Sequence, residues 1–579
     1  MRERSSNQLA DNCGAEIIAR FLRARGITRI FSLCGGHIMP IWMSVDRAGI
    51  QIIDVRDERA AIHMAQAHAE VTGEIGVALV TAGPGLTNAI TGIANAHVSR
   101  TSVLIISGTP PVAQIGRGAL QDVDHVQIVR SITRYARTVF EPAMIPQFLD
   151  EAVSLALGDG GAPGPSYVEF PTDVLRAEVP LAMQMQEHFQ PRSRRTFQPC
   201  ERDVESAVNM LWSARRPVFI TGRGARGAAK ELLALLDRLD ALHLDTGESR
   251  GVIPDDHPSM VTAMRSAVMN SADVIVTVGR RLDFQLAYGS PAIFKGASFL
   301  RISDCATELR DNRRGDVELF GTISESLNAI VRLAGDRNSS IDREWIDVIR
   351  NKHSEKSKSF LQSIASASKG ADGGMHPNRL LSELQKVIDP QSIVAIDGGD
   401  FLSFARVAIS APMMLDPGPF GCIGVGVPYG IAASLAQPNA TVLVLTGDGS
   451  FGFNAMEIDT AVRHNAKVVI VVANNSAWQI EVDDQRKTYG KVVGTKLQNA
   501  DYAAMARAFG MYAERVTSVE QFRAALARAM TNRPALIDVV ITTDAESSDS
   551  KSGLAWVPNL QPLASWDDAE YEWRYPSQN

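Results

Sequence analysis

The stretch Val442 to Trp478, "VLVLTGDGSFGFNAMEIDTAVRHNAKVVIVVANNSAW", alternates two kinds of pattern. Short unbroken apolar runs, "VLVL" and "VVIVVA", predict strands buried on both faces. The segment between them carries apolar positions at helical spacing. Glycines close the first run and asparagines close the second, so the predicted order is strand, tight turn, helix from near Ser450, strand, polar stop. The stretch Val77 to Gly108, "VALVTAGPGLTNAITGIANAHVSRTSVLIISG", repeats that layout. Strands alternating with amphipathic helices along the whole chain predict α/β domains with parallel sheets.

Two polar stretches interrupt the pattern: "MQMQEHFQPRSRRTFQPCERD" from Met183 and "SASKGADGGMHPNR" from Ser366. Read as exposed connections, they cut the chain into three segments of comparable length. The expected boundaries are 1–182, 195–345 and 372–545, with a tail at 546–579. The echo between the first and third segments predicts two related domains around a different middle one. The tail begins polar and then carries three tryptophans and two tyrosines, which favours packing back on the body, as a lid, over free disorder.

Composition narrows the classes. The chain has 579 residues, 45% hydrophobic and 21% charged, with a net charge of -7 and no long basic run. That is a globular balance and argues against nucleic acid as a main partner. The five cysteines are scattered without zinc-site spacing, which fits a reduced, cytoplasmic setting. The start lacks an apolar signal core, and no apolar run is long enough to span a bilayer.

The chemistry sits at the ends of the two apolar runs. Gly447 and Gly449 permit a sharp turn and close approach of the backbone to a ligand. Unpaired amides at the helix start, including that of Ser450, favour a phosphate. A diphosphate calls for Mg2+, which takes oxygen ligands. Asp448 offers a carboxylate, Asn475 an amide oxygen from the next strand end, and Ala477 a backbone carbonyl. Neither G-x-G-x-x-G nor a P-loop signature stands here.

This arrangement resembles the thiamine diphosphate motif, which opens with GDG and closes with NN, and the resemblance extends over nearly the whole chain. It implies three α/β domains: two related thiamine diphosphate-binding domains with parallel sheets, flanking a Rossmann-like middle domain. It makes Asp448 and Asn475 metal ligands, with the Ala477 carbonyl as a third. It also implies a glutamate on the aminopyrimidine ring. "DVRDERAA" resembles the family's R-H-E-x-x-A segment, with Asp57 in place of histidine and Glu58 as the glutamate. Because that glutamate usually comes from a second chain, the resemblance implies a homodimer or homotetramer. "GPFGCIGVGVPYG" matches G-x-x-G-x-G-x-P, putting Gly421 and Ile423 against the cofactor, Ile423 as the prop for its bent shape. Gly398, Gly399 and Asp400 would line the pyrimidine pocket, and Thr81 to Asn88 would form a wall of it.

Within the family, "GG-x-IMPI" in "FSLCGGHIMPIW" resembles acetolactate synthases, whereas His37 stands where benzaldehyde lyase and related acyloin lyases carry a histidine. Gln121 matches an active-site glutamine of both, followed by Asp122 where acetolactate synthases have glutamate. Met264 to Phe294 resembles oxalyl-CoA decarboxylases and 2-hydroxyacyl-CoA lyases, and the glycine–methionine–histidine–glycine run of flavin-binding relatives is absent. ADP, rather than FAD, is the nucleotide expected in the middle domain, with Asp304 toward its ribose. The resemblance therefore implies a carbon–carbon lyase or carboligase working through a C2 ylid and an enamine. His37 and Gln121 would serve proton movement and oxyanion contact, on an aldehyde, ketone, 2-oxo acid or 2-hydroxyacyl thioester. Condensation of 2-oxo acids is the close alternative. A non-catalytic nucleotide-binding relative would be expected to have lost Glu58 or Asp448, and both are present.

Overall fold

The computed structural model describes residues 10–159, 161–193, 195–547, 549–550, 568 and 571–572. Three parallel sheets form, each from its own stretch of chain. The first comprises β1 (Arg29–Ser32), β2 (Gln51–Asp54), β3 (Gly76–Val80), β4 (Val103–Thr109), β5 (Tyr135–Thr138) and β6 (Ser166–Pro171), in the order β2-β1-β3-β4-β6-β5. The middle sheet holds β7 (Pro217–Thr221), β8 (Leu242–Leu244), β9 (Val274–Val278), β10 (Ser298–Ser303) and β11 (Val317–Phe320), in the order β11-β10-β9-β7-β8. The third holds β12 (Ile393–Asp397), β13 (Met413–Leu415), β14 (Val442–Gly447), β15 (Val468–Asn474), β16 (Tyr512–Val516) and β17 (Ala535–Val540), in the order β13-β12-β14-β15-β17-β16.

Counted from their own first strands, the outer sheets share one order, so the echo in the sequence is a repeat of topology. The middle sheet follows the 2-1-3-4-5 order, the other common doubly wound arrangement beside that of dinucleotide-binding domains. One continuous apolar core joins the outer domains. In it Ala61, Ile62 and Ala65 of the helix Glu58–Thr72 share a cluster with Tyr429, Ile431 and Ala432 of the helix Gly426–Ala436. Among the described residues no helix is long and apolar enough to cross a membrane.

Buried ion pairs fasten the middle domain to the first. Arg223 reaches Glu70 at 2.9 Å, and Arg100 reaches Glu308 at 2.9 Å and also pairs with Asp304. The stretch from Met183 is less free than its composition suggests. Asp150, 1% exposed, accepts bonds from Arg25 (2.6 Å), His188 (2.9 Å) and Arg192 (2.5 Å). Burial pushes the Asp150 carboxyl up, yet the bonds from His188, Arg192 and Arg25 hold it below its usual range. Removing that carboxylate takes the shared acceptor from Arg25, His188 and Arg192, although Arg25 keeps the carbonyls of His188 and Phe189. We therefore expect Asp150→Ala to lower the melting temperature and to speed tryptic cleavage after Arg192. Unaltered proteolysis would mean the segment is held by something else.

The stretch from Ser366 is also docked: Asp372 accepts from the Thr543 amide, and Asp544 from the Ala371 amide. Between the two connections the helix Arg343–Ala365 runs across the expected boundary at 345. Beyond Ser550 the tail lies outside the described residues, save 568 and 571–572, and the expected lid lies there with it.

Candidate active site

In the third domain, β12, β14 and β15 are adjacent and parallel, so their carboxyl ends deliver three turns to one place. Asp448 follows β14 directly. It is 2% exposed, and its Oδ2 has no hydrogen-bond partner among the described residues. Burial pushes its carboxyl up to about 7, although the amides of Gly449, Ser476 and Ala477 face it. An orphaned oxygen on a buried carboxyl is costly unless a cation or donor completes it.

The two asparagines after β15 divide their work. Asn474 is structural: its Nδ2 donates to Asp538 (3.0 Å) and to the Ala500 carbonyl (3.1 Å), and its Oδ1 accepts from the Ser476 amide (3.2 Å). Ser476 is left-handed, φ 57°. Asn475 is half-buried, and its amide makes no hydrogen bond among the described residues. Ala477 sits in an antiparallel bridge with Lys496, closed by bonds from Trp478 N–H to Thr495 O and from Leu497 N–H to Ser476 O. That pattern turns Ala477's own amide and carbonyl to the opposite side, where Asp448 lies.

The helix expected from Ser450 is broken. A four-residue turn, Asp448–Phe451, is followed by a separate helix, Glu457–Arg463, and Asn454 between them donates to the Gly424 carbonyl at 2.6 Å. The anion-favouring amides at this strand end therefore belong to a turn rather than to a long helix. A Cβ on Gly449 would lie 2.6 Å from the Trp478 ring, so glycine lets the indole cover the turn. Gly398, φ 115°, ends β12 beside Ser450 Oγ, and Gly399 packs under Ile480. Asp397 accepts from the amides of Gly424 (3.1 Å) and Gly426 (2.9 Å), which fixes the loop carrying Gly421 and half-buried Ile423. Asp400 opens the helix Asp400–Ala408. Its carboxyl accepts from the Ser547 amide at 3.3 Å and faces Asp483 and Asp549, with burial pushing it up to about 7. It thus meets the start of the tail.

In the first domain, Asp57 caps the helix Glu58–Thr72 by accepting from the Arg59 amide at 2.8 Å, a reason for aspartate at that position. Glu58, 6% exposed, accepts from Asn88 Nδ2 at 3.1 Å through Oε2. Burial raises its pKa; the Asn88 bond opposes that. A Cβ on Gly85 would stand 3.5 Å from Oε1, so the Thr81 to Asn88 turn lies against the glutamate.

His37 lies on the turn Gly36–Ile38, its backbone against Gly108 at the end of β4. Its imidazole lies near the Gln121 side chain, and Nδ1 is buried without a partner among the described residues. Burial lowers the His37 pKa, the Gln121 side chain raises it, and His125 nearby lowers it again. Gln121 is itself left-handed, φ 65°, and lies against Gly83. His125 and its partner Glu169, 2.8 Å apart and buried, were invisible as site residues in the sequence. The available signal was a carboxylate inside the apolar run "SYVEFP".

The two halves meet within one chain through their neighbours. Arg59 donates to the Phe453 carbonyl at 2.8 Å, and the Phe453 ring meets Trp478 edge-on. The Arg56 amide donates to Glu457 at 3.0 Å. A cleft of about 490 Å³ opens beside this junction, lined by Leu33, Asp54, Val55 and Arg56 from one side and Asp459 and Arg463 from the other. Neither Glu58 nor Asp448 lines it, and no hydrogen bond joins the two among the described residues. In the middle domain the Asp304 carboxylate is taken by Arg100. Among the described residues no three His, Cys, Asp or Glu side chains gather as a metal cage. A cation here would rely on one carboxylate, an amide and a carbonyl, a set that suits Mg2+ with diphosphate oxygens.

Comparison with known proteins bears on the same elements. Residues 12–128 match the thiamine pyrophosphate enzyme N-terminal TPP binding domain, residues 204–330 its central domain, and residues 399–539 its C-terminal TPP binding domain. The acetolactate synthase large subunit IlvG of Mycobacterium tuberculosis is 32% identical over 554 residues, covering 93% of this chain and 97% of that protein. 2-Hydroxyacyl-CoA lyase 2 of Caenorhabditis elegans is 30% identical over 579 residues, covering 91% and 89%. The human 2-hydroxyacyl-CoA lyase 2 is 31% identical over 543 residues, covering 86% and 84%. Two TPP binding domains around a central domain, with full-length relatives of this kind, establish that the chain belongs to the thiamine pyrophosphate enzyme family and is a thiamine diphosphate-dependent enzyme.

Proposed function

We propose that the enzyme is a magnesium-dependent carbon–carbon lyase and carboligase acting on 2-hydroxyacyl thioesters or acyloins, as a homodimer or homotetramer with sites between subunits. The observation that carries the reading is the half-buried His37–Gln121 pair at the strand ends of the first domain. Thiamine diphosphate supplies a carbon nucleophile and an electron sink for bonds next to a carbonyl. The protein's share is placement and proton handling. Asp448, Asn475 and Ala477 would hold Mg2+ and, through it, the diphosphate. Burial raises the Glu58 pKa, which favours its protonated form; Oε2 is taken by Asn88, so Oε1 is the oxygen left for the aminopyrimidine ring. His37, its pKa lowered by burial, can take a proton from a substrate hydroxyl, and the Gln121 amide can donate to an oxyanion.

Condensation of 2-oxo acids is the second reading, favoured by the IlvG relative and by the "GG-x-IMPI" loop. In the middle domain ADP, over FAD, would be the nucleotide bound; an ADP ribose at Asp304 would have to displace Arg100. A panel of 2-oxo acids, acyloins and 2-hydroxyacyl thioesters, followed by mass spectrometry, tests the choice. Cleavage of a hydroxyacyl thioester or acyloin supports the lyase; acetolactate formed from pyruvate with no cleavage refutes it. We expect His37→Ala to lower kcat about 10²-fold with unchanged cofactor affinity by calorimetry. Unaltered steady-state kinetics would leave His37 a packing residue.

A further inference from the structure

We propose that His125, oriented by Glu169, is a positioning residue that holds the Gly83–Gln121 turn, and so His37, in working geometry. The inference rests on the function proposed above for His37 and Gln121. The Gly83 N–H is buried and donates to His125 Nε2 at 2.8 Å. A backbone amide can only donate, so Nε2 must carry no proton and Nδ1 must carry it. Nδ1 lies 2.8 Å from Glu169 Oε2, which accepts that proton's hydrogen bond.

Glu169 sits in β6, buried at every position, where an unpaired carboxylate would be expelled. It is kept by three donors: His125, Tyr167 Oη at 2.7 Å on the same strand face, and Thr138 Oγ1 at 2.5 Å from the paired position of β5. The tautomer of His125 is therefore set by a fully satisfied network reaching back to two strands.

At the other end, Gly83 is left-handed, φ 59°. A Cβ there would lie 2.7 Å from Gln121 Cβ and 2.9 Å from its Cα. The Gln121 backbone thus rests directly on the residue His125 holds. Gln121 is left-handed too, an unfavourable conformation for a side-chain-bearing residue. It needs a rigid neighbour to keep it. A Cβ on Gly35 would run into Thr81 Cβ, so the loop carrying His37 packs on the loop carrying Gly83, and Gln121 and His125 both act on the His37 imidazole. Loss of the Gly83 bond frees the turn, and small misplacement of a proton-transfer group costs about 10²-fold in rate.

Two substitutions separate this role from packing. Glutamine places an amide oxygen near Nε2 and can accept from Gly83, whereas asparagine places its donor near Nδ1 and leaves Gly83 unpaired. We expect His125→Asn to lower kcat about 10²-fold, with KM and thiamine diphosphate affinity unchanged, and His125→Gln to recover most of that loss. In wild-type protein carrying 15N-histidine, the His125 ring should show a protonated Nδ1 and a bare Nε2, its signals assigned by their absence from His125→Gln. A protonated Nε2, equal losses in the two variants, or full activity in His125→Asn would each overturn the inference. Wild-type protein without cofactor-dependent turnover would sink the proposed function instead, and the nitrogen spectrum would still judge the tautomer.

Discussion

Glu58→Gln is expected to keep thiamine diphosphate bound and to cut turnover about 10³-fold, within the range of positioned acid–base groups. The substitution preserves shape and one hydrogen-bond acceptor. Asn88 can still donate to the amide oxygen as it does to Oε2, so the pocket need not reorganise. What disappears is an oxygen that can hold and release a proton, and burial has already pushed that proton's affinity upward in the wild type. Binding depends on the third domain's diphosphate end, so a calorimetric titration should give an affinity close to wild type while kcat collapses. Near-normal kcat would remove Glu58 from its role.

Asp448→Ala should show the opposite split. Asn475 and Ala477 offer only neutral oxygens, so Asp448 is the one charge in the proposed metal set. Removing a charged partner from a buried site costs about 3–5 kcal/mol, or roughly 10²- to 4 × 10³-fold in affinity. Thiamine diphosphate titrated at fixed Mg2+ should bind that much more weakly, and raising Mg2+ should recover part of it. Unchanged affinity would refute the ligand assignment. Asn475 and Asn474 should also differ under truncation, the former acting on binding. Asn474, bonded to Asp538 and Ala500, should act on stability instead.

The division between what the chain spells out and what only folding reveals follows the range of each interaction. Strand ends, glycine turns and the helix opened by Glu58 are set by a few adjacent residues, so β14, β15 and the Glu58–Thr72 helix stand where the pattern put them. The repeated order of the outer sheets could be suspected from the echo of Val77 to Gly108 and Val442 to Trp478 because both are complete strand–helix–strand units. The helix break after Phe451 was less legible, since it depends on Asn454 bonding Gly424 across the fold. Partnerships between distant residues left no local mark. Arg100 seizes Asp304 from another domain, Asp150 gathers the basic connection, and Asp400 turns to Ser547. His125 and Glu169 belong to this class. Each looks unremarkable in its own segment, and their purpose exists only where β5, β6 and the Gly83 turn converge.

If Glu58 of one chain and Asp448 of another serve the same coenzyme, mixing two disabled proteins shows it most directly. Glu58→Gln and Asp448→Ala chains, each nearly inactive alone, would be unfolded together and reassembled. A mixed dimer then contains one doubly altered site and one intact site, so random pairing should restore about a quarter of wild-type activity in a two-fold assembly. Activity no higher than the sum of the two parents, in samples shown by mass spectrometry to contain mixed dimers, would contradict the shared site.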